Sequence, residues 1–394
     1  MDWQKPTKLD EGVEIPRTWI HLHYYEALTV LFRVENALRT FVYIVLKEKF
    51  ASKWQDLDIS SDDESRSTIA ALAKKRIAQD DAFGYLGYRI NSHLMYLTSG
   101  ELVRLITSDS YWPHFAKYFR SAKNVTVLKL QEIGNIRNSL AHFRPIQPGD
   151  VEVVKQNANQ MLRGVEQTLS EAMICDEIVP TNTEDPWYRN LSTVGSQLCT
   201  LSFRQSRSRE WTTITLRFSS PPRSDHTAAP LESDSYVFNS VLTIETPAVL
   251  MRGDEFCAHL IALIERIPYL RITKHPHPKF FKDLRFIVSR DFLSSGHEVV
   301  KKYFEKLLET IERETDLISQ DNLARGTIVR EQTLLGEKTD KGLWSFNTDL
   351  LLRPVRAGDP IEYWGNVVTS GQDLISDITE FPWLPVNIST SSFE

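Results

Sequence analysis

Between Trp19 and Phe50 apolar residues return at every third or fourth position, with Leu28, Leu31, Val34, Leu38, Phe41 and Val45 on one stripe. That spacing predicts one long amphipathic helix. The run SSDDE at 60–64 supplies N-cap residues and early acids for a second helix through Ala70–Ala78. Thr98-Ser-Gly-Glu101 has capping-box spacing for a third helix ending near Thr107. Ile133, Ile136 and Leu140 mark a fourth over Ile133–Phe143, and a fifth is expected over Gly149–Met173. Residues 19–173 therefore read as an all-α bundle.

After Cys175 the pattern changes. DEIVPTNTEDPWYRN is rich in turn formers and reads as a linker over 174–192. Beyond it, Ser196–Phe203 and Trp211–Phe218 alternate and predict a hairpin, and Tyr236–Glu245 predicts a third strand. A polar loop with three prolines intervenes; helices are expected at Asp254–Ile267 and Glu298–Leu317, with further strands at Ile328–Thr333 and Asp349–Val355. The expected fold class is a multidomain chain, an N-terminal helical bundle followed by an α/β (α+β) domain over 193–394.

Length and composition narrow the function classes. The chain has 394 residues, 41% of them hydrophobic and 25% charged, enough for two or three globular domains. A net charge of −6 excludes a global polycation, so any nucleic-acid contact must use a local basic surface. One stretch qualifies. Between Tyr111 and Arg144, the cations Lys117, Arg120, Lys123, Lys129, Arg137 and Arg144 face a single acid, Glu132, with Tyr111, Trp112, Phe115, Tyr118 and Phe119 interleaved. It reads either as an RNA-binding surface or as core aromatics with solvated lysines. Arg204, Arg207 and Arg209 at the hairpin turn are open to the same two readings.

The three cysteines have no CxxC spacing, which argues against a disulfide framework or structural zinc. His275 and His277 lack a third nearby ligand, and Asp62, Asp63 and Glu64 read as helix-capping acids, so no metal site is expected. Walker A, GxSxG and GxGxxG patterns are absent, and no cofactor is expected. The first residues mix charge and proline where a signal peptide needs an apolar core, and no stretch of 18 uninterrupted apolar residues occurs. The expectation is a cytoplasmic protein with no membrane partner.

The candidate chemistry lies in GNIRNSLAH, Gly134 to His142. Arg137, Asn138 and His142 follow the order Arg-Asn-x-x-x-His on an amphipathic helix. Spacing alone is unspecific, because Arg17/His23, Arg252/His259, Arg271/His277 and Arg290/His297 also place four to six residues between the two types. The asparagine directly after the arginine, the helical setting and the helices before it single out Arg137/His142. With Glu35, Leu38 and Arg39 in the first long helix, this resembles the HEPN superfamily, specifically HEPN ribonucleases of abortive-infection type, over somewhat more than a third of the chain.

The resemblance implies a dimer with a composite site that cuts RNA without metal and leaves a 2′,3′-cyclic phosphate. It also implies a toxin or antiphage defence effector acting on tRNA or other cellular RNA, restrained or activated by a protein partner or by its own C-terminal half. Catalytic roles carry over to Arg137, Asn138 and His142, with Glu35 as an auxiliary that orients Arg137 or His142. The residues support this independently. RNA brings its own 2′-hydroxyl nucleophile, so cleavage needs a proton-transfer group and a fixed cation, which His and Arg supply. On one ideal helix Asn138 and His142 share a face, whereas Arg137 lies about 140° from His142. Two copies about a twofold axis would bring both faces to one groove. Three alternatives stay open: a non-catalytic HEPN dimerisation or RNA-binding module, activity housed in the C-terminal half, and structural roles in which Glu35 pairs with Arg39 at i+4 and His142 merely ends a helix.

Overall fold

The second half of the first long helix is apolar all the way round, and this decides the architecture. The computed structural model describes residues 7–10, 12–14, 22–59, 67–82, 93–144, 146–173, 178–220, 236–250, 255–266, 280–319, 326–342, 344–347 and 359–365. A short antiparallel hairpin, β1 (Thr7–Leu9) and β2 (Gly12–Glu14), precedes α1 (Leu22–Phe50). Phe41, Val42, Tyr43, Ile44, Val45 and Leu46 of α1 are all buried, which requires neighbours on every side.

On one side lie the remaining helices: α2 (Ile69–Ala82), α3 (Ser99–Thr107), α4 (Trp112–Phe115), α5 (Lys123–Ala141), α6 (Pro148–Met161) and α7 (Arg163–Met173). Phe41 anchors them, with ring centroids of Phe115, Tyr118 and Phe119 at 5.6, 5.2 and 6.0 Å. These three aromatics of the basic stretch are therefore core. The Thr98–Glu101 capping box forms as its spacing predicts. Three differences stand out. Leu28, placed on the core stripe by its spacing, is 55% exposed. The helix expected at Ile133–Phe143 begins ten residues earlier, at Lys123. The helix expected over Gly149–Met173 is two, and Gly164 near the break lets the chain approach Tyr118 so closely that a Cβ there would lie 2.0 Å from its carbonyl oxygen.

On the other side of α1 lies a sheet. After α8 (Pro186–Ser192) come β3 (Cys199–Gln205), β4 (Trp211–Ser220), β5 (Tyr236–Ile244), α9 (Thr246–Leu250), α10 (Glu255–His259), β6 (Ala262–Arg266), β7 (Phe280–Ser289), α11 (Arg290–Ser319), β8 (Val329–Lys338), β9 (Trp344–Phe346) and β10 (Tyr363–Gly365). The five-stranded sheet runs β10-β6-β7-β4-β3, antiparallel except for the parallel β10–β6 pair, and β5-β8-β9 form a second sheet. The predicted β3–β4 hairpin is in register from Cys199↔Phe218 to Gln205↔Thr212. Helix and mixed sheet together make an α+β chain.

Strand alternation gives the larger sheet two apolar faces. Trp211, Ala262, Ile264 and Ile287 join the core of the helical bundle, whereas Ile214, Leu216, Leu263, Leu284 and Phe286 pack with α11. The helices and the sheet thus share one core across α1. The Tyr43 hydroxyl donates to the Ile261 carbonyl at 2.9 Å, and buried Lys47 pairs with Glu362.

Part of the stretch expected to link the halves is α8, whose Trp187 and Leu191 are buried. Arg290 docks it by pairing with Asp185 and lying over the Trp187 ring, while His297 Nδ1 meets Asn190 at 2.8 Å. The helix expected at Asp254–Ile267 is instead the short α10 followed by strand β6. The capping run at 60–64, the strand expected at Asp349–Val355, the His275/His277 pair and Cys175 lie outside the described residues. Among the described residues, no group of His, Cys, Asp and Glu is placed to hold a metal ion, and no helix is long and apolar enough to cross a membrane.

Candidate functional site

Glu35 lies midway along α1 on its most exposed stripe, following Leu28 and Phe32 at helical spacing. Its carboxylate collects three donors. Ser99 Oγ, at the start of α3, donates to Oε2 at 2.7 Å, Arg39 one turn on pairs with Oε1, and Arg137 Nε of α5 reaches Oε2 at 3.3 Å. Both alternatives for Glu35, pairing with Arg39 and contacting Arg137, occur together. Arg39 is fixed further by the Leu97 carbonyl at 3.1 Å and Asn36 Oδ1 at 3.3 Å, and burial pulls its guanidinium below the ordinary value despite Glu35. One carboxylate thus holds two guanidinium groups, and the cluster keeps a surplus positive charge. Arg137 displays that charge, its side chain 37% exposed against 13–14% for Arg39 and Glu35.

Below the pair lies a cleft of about 360 Å³ between α1, α3 and α5, floored by Leu31, Val34, Leu38, Leu102, Leu130 and Ile133. Gly134 forms part of its wall, with open space where a Cβ would stand.

Arg137 turns inward to α1, whereas Asn138 and His142 lie exposed on the outer face, as a 100° step per residue requires. Arg137 Nη1 reaches Asn138 Oδ1 only at 3.5 Å, a long contact. His142 caps α5 through its backbone, with N–H donating to the Asn138 and Leu140 carbonyls. A Schellman turn follows. Phe143 N–H donates to the Leu140 carbonyl at 3.0 Å and Arg144 N–H to that of Ser139 at 2.8 Å, with Phe143 at φ +54°. Glycine is favoured at that position, and a side chain there costs about 1 kcal/mol. Tyr24 ties this turn to α1, donating its hydroxyl to the Arg144 carbonyl at 2.9 Å.

The five other cations proposed for RNA contact are spread along this half of the chain. Lys117 pairs across the helix–sheet boundary with Glu210 at 3.0 Å, Lys123 pairs with Asp109 at 2.5 Å, and Lys129 meets Asn157 Oδ1 at 2.8 Å. Arg120 and Arg144 are exposed, as are Arg207 and Arg209 at the β3–β4 turn.

Sequence reasoning did not assign Ser99 or Arg39 to the Arg137 cluster. Ser99 had no signal beyond its capping sequence, because its meeting with Glu35 is set by how α3 crosses α1. No protein-family model, curated protein or solved structure matches the chain.

Proposed function

We propose that the chain is a metal-independent endoribonuclease of HEPN type acting as a homodimer on tRNA or other cellular RNA, in the manner of a toxin or antiphage effector. What supports the reading most is the Glu35 cluster. It fixes an arginine with surplus charge at the surface, one helical turn and a half before an exposed histidine. A 2′-hydroxyl attacks the adjacent phosphorus, one His142 takes its proton, and Arg137 donates to the non-bridging oxygens of the phosphorane. The bond to the 5′-oxygen breaks, and that oxygen leaves as a hydroxyl after receiving a proton from His142 of the other copy. The products are a 2′,3′-cyclic phosphate and a 5′-hydroxyl. Asn138, beside Arg137 on the exposed face, binds the ribose or phosphate. A twofold pairing supplies the base and the acid, which one helix cannot supply alone.

Wild type, Arg137→Ala and His142→Ala are incubated with total tRNA in EDTA, and the ends of any fragments are analysed. Only wild type should cut, with each variant slower by about 10²–10⁴-fold. Equal cleavage by all three, or cleavage only when metal is restored, defeats the reading.

One observation favours a second reading, a non-catalytic RNA-binding module. Among the described residues no hydrogen bond holds the His142 imidazole, whereas general bases are ordinarily oriented by a partner. In that case RNA binds and is not cut, and its affinity falls with Arg137→Ala and not with His142→Ala.

A further inference from the structure

Phe143 is 92% exposed, the most exposed large apolar side chain among the described residues. It also occupies the one position of the α5 Schellman turn where glycine is the favoured residue. A phenyl ring that touches little of its own chain and sits on a disfavoured backbone has no role in folding that the structure shows. Its backbone is nevertheless pinned by the two turn hydrogen bonds and by Tyr24, so the ring projects from a rigid base.

The same face carries a matching hollow. Tyr24 sets the start of α1 against the end of α5, and Leu28 and Phe32, 55% and 42% exposed, occupy the stripe running from there to Glu35. Beside Glu35 the apolar cleft between α1, α3 and α5 opens, with unfilled space at Gly134. An isologous contact needs one patch that both gives and receives. This face holds the aromatic knob, the apolar cleft and exposed apolar residues between them.

We propose that a second copy of this chain covers the cleft, with Phe143 of each protomer seated between α1, α3 and α5 of the other, beside the Glu35–Arg137 pair. The inference rests on the dimeric reading of the site and names what joins the copies. It places the His142 preceding each knob next to the opposite Arg137, so the aromatic contact sets the spacing of the shared groove.

The test uses the full chain. Sedimentation velocity over a concentration series compares wild type with Phe143→Ala, Phe143→Gly and Gly134→Leu, which fills the cleft from within where a Cβ meets nothing. Wild type should dimerise, and each variant should associate at least about tenfold more weakly. The thermal midpoint of Phe143→Gly should equal or exceed that of wild type, because glycine suits the turn. Benzoylphenylalanine at position 143 should, on illumination, give a covalent dimer joined to peptides of α1, α3 or α5. If wild type dimerises and all three variants match it, the knob assignment is overturned while the dimeric reading survives. If wild type stays monomeric at every concentration, both fall. A monomer whose RNA affinity drops with Phe143→Ala would instead make the ring a platform for a base, which also overturns the contact proposed here.

Discussion

Glu35 and Glu265 make the same kinds of contact with opposite results. Each accepts from a hydroxyl, Ser99 for Glu35 and Thr246 for Glu265, and each faces a cation. Glu265 on β6 meets Lys282 of β7 at 3.0 Å, with the two side chains 1% and 4% exposed, and Lys282 also donates to the Ile244 carbonyl at 2.7 Å. That pair is balanced, one charge against one, and sealed between the larger sheet and β5. Glu35 holds two guanidinium groups at the edge of an open cleft, so one positive charge remains for an incoming phosphate. Burial and charge count together separate a pair that fixes a fold from one that can bind.

The largest effect expected from breaking this contrast is at Glu265. Glu265→Ala leaves Lys282 buried without its partner and should lose about 3–5 kcal/mol in urea unfolding, whereas Glu265→Leu with Lys282→Met should come within about 1 kcal/mol of wild type or exceed it. A single variant as stable as wild type would show that Lys282 finds another partner.

At Glu35 the readout shifts from stability to binding. Glu35→Gln removes the charge that restrains two arginines, so RNA should bind several-fold more tightly and with a steeper salt dependence, while cleavage slows because Arg137 is less firmly aimed. An unchanged salt slope would mean that the cluster does not meet phosphate.

A third carboxylate gives an intermediate case. Glu101 holds Arg76 through two 2.7 Å contacts and caps α3 with Thr98. Burial pushes its carboxyl up, but the donors of Arg76 and Thr98 outweigh this and hold it below the usual value of 4.5. Because the folded value is depressed, the stabilisation is complete above about pH 4.5 and disappears as pH falls through the folded value. Glu101→Gln should therefore cost about 1 kcal/mol at pH 7, and its thermal midpoint should converge with that of wild type near pH 2. A constant difference across that range would exclude the charge as its origin.

The smallest effect belongs to an uncharged contact across the helix–sheet boundary. Tyr43→Phe removes the hydroxyl bonded to the Ile261 carbonyl and should cost about 1 kcal/mol in chemical unfolding. A neutral result would show the boundary to be held by apolar packing alone.

The sequence disclosed what repeats locally. The stripe Leu31, Val34, Leu38 and Phe41 was legible because one face of α1 meets a helical core. The burial of Val42 and Ile44 was not, because their neighbours come from strands more than two hundred residues away. β7 was missed since FFKDLRFIVS is covered on both faces and hides charges, Lys282 and Asp283, beneath partners. β6 was taken for helix because ALIE is a continuous buried run without a period. At the site, Arg137, Asn138, His142 and Glu35 were visible as residue types in order. The donation from Ser99 was not, and neither was a phenylalanine standing where a helix end calls for glycine.

The placement of α1 between two layers also has a consequence during synthesis. The helix is made first, yet Ile261, Ala262 and Glu362, which cover its second half, follow roughly 200 to 300 residues later. At about 5–20 residues per second, a greasy surface around Val42 to Leu46 stays uncovered for about 10–60 s on every ribosome. Nascent chains stalled before β6 should be cut by protease within 42–50 and retained by trigger-factor-like holdases, whereas chains released after β10 should resist both.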